Sequence, residues 1–197
     1  MHSIRKFKAF LGFNWHWYLI IFLSTLFVFY FLFETLRTPG YDEKVVIFIG
    51  SKHVEVEKLE SDLYKGFEGT KIEEIFVDYS NPKDSDYSIV FNTRGTVNTD
   101  ILILTSDYIL EGDYSNFFAK IDDKLISQYQ IDDSKLFKDS DNFVYGINIT
   151  DYLKNYIDTN ETYYLFFNKK SEKIAYLNEN SSVDYALIVL ENILNER

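Results

Sequence analysis

Few residue types in this chain could carry out catalysis. There is no cysteine, which removes thiolate nucleophiles, thiolate metal sites and disulfides together. Beyond residue 16 the one histidine is His53, so no histidine pair is on offer for zinc. Neither a G-x-S-x-G elbow, a G-x-x-x-x-G-K phosphate loop nor a G-x-G-x-x-G turn occurs. Paired acids stand at Asp122–Asp123, Asp132–Asp133 and Asp139–Asp141, the residue type a hard cation needs. A calcium loop starting at Asp139 fails, because Phe143, Val144 and Thr150 fill its fifth, sixth and twelfth positions. These acids read as solvated turns. No nucleophile–base pair, metal set or cofactor motif can be assembled, and the expectation is a non-enzymatic protein without a cofactor.

Binding chemistry has more to work with. Open α/β sheets receive ligands at loops beyond the carboxyl ends of parallel strands. Here those loops are Gly50–His53, Thr105–Tyr108 and the region near Tyr145–Asn148. His53 follows a strand end at "GSKH", where it is either a loop ligand-binder or an ordinary surface histidine at a helix start. Tyr108 and Tyr145 could stack on a sugar ring, although 16 tyrosines spread along the chain would put some near loops in any case. Sequons begin at Asn148, Asn160 and Asn180, a pattern that an Asn- and Thr-rich chain also produces by chance.

The elements that must hold these loops are legible from periodicity. "KVVIFIG" (44–50) and "TDILILT" (99–105) are apolar runs of the kind buried on both faces of a sheet. Between them, residues 53–67 place Val56, Leu59, Leu63 and Phe67 on one helical stripe, and 72–79 form a second strand. This is a βαβ-type order, implying parallel strands with helices on their faces. Ser106 or Asp107 would cap a helix leaving the strand at 105. "FVYGINI" (143–149) and "TYYLFFNKK" (162–170) are further strands. A terminal helix follows, opened by a Ser181–Asp184 capping box, with Val183, Ala186, Leu187, Leu190 and Leu194 on one face.

The N-terminus gives the firmest placement. From Trp15 to Phe33 run 19 residues with no formal charge, about 28 Å of helix at 1.5 Å per residue, close to the hydrocarbon thickness of a bilayer. Arg5, Lys6 and Lys8 precede it, so that side is expected in the cytoplasm, and Trp15, Trp17 and Tyr18 sit at its boundary. The run is long and aromatic, with no A-x-A-like site after it, as an uncleaved signal-anchor should be. The expected organisation is 1–14 cytoplasmic, 15–34 transmembrane, 35–43 linker and 44–197 an extracytoplasmic domain, in a single-pass protein of the cell membrane. Of 31 acidic residues, 30 lie beyond Arg37 against 16 basic ones, a net of −14 outside. That surface is unsuited to nucleic acid and suits solubility.

Four segments in order resemble the extracellular solute-binding proteins of bacterial ABC importers, of the sugar-binding type. "KVVIFIGSKHVEVEKLESDLYKGFEG" resembles their opening strand and helix, and "NTDILILTSDYI" their strand and turn before a further helix. "DNFVYGINI" is similar to the strand that leads towards the second lobe. "ETYYLFFNKKSEKIAYLNENSSVDYALIVLENIL" is similar to the late strand, the "nkkS" turn and the closing helix. The resemblance covers roughly 44–197. It implies a three-layer α/β domain like one lobe of a periplasmic-binding-protein-like fold, preceded here by a transmembrane helix. It also implies ABC permease subunits as partners and a sugar or small solute as ligand, with Ser51, Asp107 and Tyr108 matching cleft-facing loops. The departures are plain: only "TDYLKNYIDTNET" stands where a second lobe would be, Asn148 replaces a proline, and the lipidated cysteine is absent. A domain that has lost the solute and binds another protein is the alternative.

Overall fold

Five successive apolar residues, Val45 to Ile49, are buried on both sides of a strand, so β1 (Lys44–Gly50) lies inside its sheet. The computed structural model describes residues 12, 15–105, 107, 114–157, 160–174 and 184–195. It divides into two units, Met1–Gly40 and Tyr41–Arg197.

In the first unit the apolar run forms one helix, α1 (Trp15–Arg37), three residues longer than expected. Its 22-residue stretch Trp15–Leu36, of mean hydropathy 2.2, is long and apolar enough to cross a membrane. The hydroxyls of Thr25 and Thr35 donate to the carbonyls of Ile21 and Phe31, both at 2.8 Å. Those bonds satisfy polar groups that hydrocarbon could not. The basic residues Arg5, Lys6 and Lys8 lie outside the described residues.

The second unit is a mixed α/β domain built on one six-stranded sheet of order β2-β1-β3-β6-β5-β4. Its strands are β1, β2 (Glu74–Ser80), β3 (Ile101–Thr105), β4 (Leu136–Lys138), β5 (Val144–Asn148) and β6 (Tyr163–Phe167). The βαβ order expected of the first half holds: β1, β2 and β3 are parallel, and α2 (Val56–Tyr64) connects the first two. The second half departs from a parallel sheet. β6 runs antiparallel to both β3 and β5, and β4 antiparallel to β5. The cause is the short connection: after α6 (Thr150–Leu153) the chain turns back and pairs beside the strand it has just left.

Side-chain alternation divides the core into two chemistries. One face is aliphatic, with Ile47, Ile49, Ile101 and Ile103 packed under α2 and α7 (Tyr185–Asn195). Helix α7 buries Ala186, Val189, Leu190 and Ile193, and each of the larger three is worth about 1.5–3 kcal/mol relative to exposure. The opposite face is aromatic, where Phe48, Tyr145 and Phe166 meet Phe118 and Tyr87. It is covered by α3 (Tyr87–Val90) and the π-helical turn Phe91–Gly95 that continues it. Short helices α4 (Tyr114–Phe117) and α5 (Asp123–Gln128) complete the set. Gly146 lies within the continuous strand β5 and makes room for a ring. A Cβ there would come within 2.7 Å of the Phe166 ring, which stacks on Phe118 at 4.5 Å. Most of the proposed capping box, Ser181 included, lies outside the described residues.

A buried ion pair joins the sheet to the turn after β6. Asp100, fully buried before β3, accepts from Lys173 Nζ at 2.9 Å, Ser171 Oγ at 2.6 Å and the Val46 amide at 2.9 Å. Lys173 Nζ also donates to the Lys44 carbonyl and lies 4.0 Å from the Tyr41 ring centre. Asn168 adds donations to the Thr99 and Thr96 carbonyls at 2.8 and 3.2 Å. Lys173→Met should therefore strand the Asp100 carboxylate and cost about 3–5 kcal/mol. Urea unfolding of the detergent-solubilised full chain, followed by near-ultraviolet circular dichroism, measures this. The double variant Asp100→Leu/Lys173→Met should lose less than Lys173→Met alone, and an equal or larger loss would contradict the assignment.

Candidate functional site

The parallel strands end along one edge of the sheet, and β5, parallel to β3 through the intervening β6, ends there too. Gly50, Ser80, Thr105 and Asn148 therefore share that edge, with Tyr163 opposite Thr105 and Tyr164 opposite Asn148. The strand ends that precede the three expected ligand loops share this edge. What they present differs residue by residue.

Ser51 is 4% exposed, and its hydroxyl donates to the His53 carbonyl at 3.2 Å, which shapes the turn that follows β1. His53 and Asp107 are both exposed at this edge. Tyr108 and Ser106 lie outside the described residues. Tyr145 is 1% exposed and belongs to the aromatic face of the core. Burial, with Asp139 hydrogen-bonded beside it, pushes its phenol above the ordinary range. Asp139 follows β4 at the opposite edge, because β4 and β5 are antiparallel. The Tyr145 side chain thus points away from the strand-end loops and offers no open ring for stacking.

Asp139 itself has a local role. Its Oδ1 accepts from the amides of Asp141 and Phe143, both at 2.9 Å, while Asn142 takes a positive φ of 63°. That is an Asx turn of the kind the acidic pairs suggested. Among the described residues no group of three or more His, Asp or Glu could hold a metal ion.

Two features of this edge are absent from the sequence reading. The first is the neck of the excursion between β5 and β6. The Tyr163 amide donates to Thr150 Oγ1 at 2.9 Å, and Thr150 Oγ1 donates to Asn148 Oδ1 at 2.8 Å. The Ile149 amide closes the same neck through the Tyr163 carbonyl at 3.0 Å. The second is Thr105, 2% exposed at the end of β3, whose hydroxyl has no hydrogen-bond partner among the described residues. Threonine is common enough in strands that neither residue carries a distinguishing signal.

The strongest polar cluster is at the other edge. Ser171, Lys173 and Asp100 are 5% exposed or less, so a serine, a lysine and a carboxylate stand together where no substrate reaches them. Tyr41, the first residue of this unit, lies against the cluster. Burial first, then the charges of Asp100 and Glu172, push its phenol up to about 12.

A cavity of about 370 Å3 beside the strand ends lies between β5, α6 and the last turn of α7. In comparisons with known proteins, no family model matches the chain and no curated relative matches it.

The buried, unpartnered hydroxyl of Thr105 gives a direct test of this edge. Thr105→Val keeps the shape and removes a group whose desolvation costs about 1–3 kcal/mol. The unfolding midpoint in urea should rise. A fall would mean that the hydroxyl has a partner in solution.

Proposed function

We propose that this protein is a membrane-anchored, non-enzymatic component of a bacterial ABC import system. Its outer unit is a solute-binding-like lobe of periplasmic-binding-protein type that has lost its second half. The observation that carries this reading is the neck between β5 and β6. The chain leaves the sheet at Asn148, makes only the short helix α6, and re-enters at Tyr163 beside the strand it left. That is the point where the resembling family passes into its second lobe. Here it is closed by the Tyr163–Thr150–Asn148 relay. The sealed Ser171–Lys173–Asp100 cluster favours a binding role over catalysis, since its reactive groups bond one another.

The anchor is α1, with the N-terminus in the cytoplasm and the domain outside. The basic residues Arg5, Lys6 and Lys8 and the acidic charge of the remainder support that orientation. Since the chain has no native cysteine, a single His53→Cys variant reports it. A membrane-impermeant maleimide added to intact cells should label this variant, and labelling only after lysis would reverse the topology.

A second reading, a protein-binding module that no longer takes solute, draws on the burial of Ser51 and Tyr145. It leaves His53 and Asp107 as the exposed candidates at the strand-end loops among the described residues. Thermal unfolding of the full chain in detergent, with a panel of mono- and oligosaccharides, separates the two. A ligand at a hundred times its dissociation constant stabilises by about 2.7 kcal/mol. Under the import reading one saccharide raises the midpoint and Asp107→Ala removes the effect. A flat panel selects the protein-binding module.

A further inference from the structure

Lys135 stands out among the basic residues of the outer unit. It lies in the 3-10 turn Asp133–Lys135, is half-buried, and its ammonium makes no ion pair or hydrogen bond among the described residues. The buried Lys173 is matched by Asp100, and the other half-buried lysine among the described residues, Lys44, has its ammonium 5.8 Å from the Phe76 ring centre. An ammonium partly removed from water and left unmatched is costly, and an incoming anion would relieve that cost.

Lys135 is among the residues that line the 370 Å3 cavity, and so are two asparagines, Asn148 and Asn155. Asn148 spends its Oδ1 on the amide and hydroxyl of Thr150, at 3.0 and 2.8 Å, so its Nδ2 is the group left to donate. The Asn155 carboxamide makes no hydrogen bond among the described residues, while its backbone carbonyl accepts from Lys58 Nζ at 3.0 Å. Asp151 also lines the cavity, but it is paired with Lys154 at 2.9 Å, so their charges offset. Ile193 and Leu194 of α7 supply an apolar side.

We propose that this cavity binds a small monocarboxylate with a branched aliphatic body. Lys135 and the Asn148 and Asn155 amides hold the carboxylate, and Ile193 and Leu194 pack the tail. A neutral polyol would leave the ammonium unmatched. A phosphate dianion would bring two charges to one cation within a domain that is already strongly acidic. One carboxylate per lysine is the balanced arrangement. The site stands apart from the import reading, because it uses neither Asp107 nor His53 and needs no second lobe.

The same chemistry has two sources, a free short-chain acid or the C-terminus of a peptide ending in an aliphatic residue. Isothermal titration of the full chain in neutral-lipid nanodiscs distinguishes them, using 4-methylpentanoate and Gly-Gly-Leu, each beside its amide. At least one acid should bind about tenfold or more tighter than its amide. The tighter of the two acids identifies the source. Lys135→Met should abolish binding while leaving the melting midpoint as high as before or higher. Asn155→Asp, which sets a like charge beside the ligand, should weaken binding without removing Lys135. Equal affinity for acid and amide, full binding by Lys135→Met, or no heat at millimolar ligand would overturn the proposal. Acetate binding as tightly as 4-methylpentanoate would overturn the aliphatic part of it.

Discussion

The buried Asp100–Lys173 pair is the interaction on which the arrangement of the second unit, Tyr41–Arg197, depends. It joins three stretches far apart in sequence: Tyr41 with the start of β1 through the Val46 amide and Lys44 carbonyl, the start of β3, and the turn at 168–173. Removing two charges from water costs several kcal/mol per ion, and mutual attraction offsets this only when the remaining hydrogen-bonding capacity is filled. Here it is filled. Asp100 accepts a lysine, a serine and a backbone amide, and Lys173 donates to Asp100 and a carbonyl while facing an aromatic ring. Such a pair adds little net stability over an apolar core, but it admits few alternatives. A one-residue slip of β3 against β1 would break the bond from the Val46 amide to Asp100.

With one edge held in this way, the other is free to diversify. At the strand-end edge the chain has spent its polar groups locally: Ser51 on a turn, Asn148 and Thr150 on the neck of the excursion. The aromatic face imposes a further constraint. Phe166 can lie over β5 because Gly146 has no side chain, and that packing helps fix β5 beside β6. The position of Asn148 at the cavity mouth is therefore set by an aromatic contact on the other face of the sheet.

This geometry separates two roles that the polar inventory would confuse. The Ser171–Lys173–Asp100 group contains residue types used in hydrolases, yet its atoms face one another and are closed to solvent. Lys135 has less conspicuous neighbours in sequence but opens on a cavity with unused donors. Burial and pairing, more than residue type, distinguish a structural cluster from a surface able to receive a ligand.

Local pattern was enough for much of this protein. The 19-residue uncharged run determines a helix of membrane length, because no other periodicity fits it. The continuous apolar runs at 44–50 and 99–105 determine interior strands, and the stripe at 56, 59 and 63 determines the helix between them. These are short-range properties of hydrophobic periodicity. The direction of β6, the orientation of Tyr145 and the partner of Asp100 are not, since each depends on residues dozens of positions away. Tyr145 read as a loop aromatic because Gly146 suggested a strand exit. Packing instead turned its ring into the core and its hydroxyl towards Asp139. Lys135 was one of many lysines in the sequence. Only the tertiary fold made it half-buried and set it in the cavity lining, with Asp133 and Asp151 paired to Lys138 and Lys154.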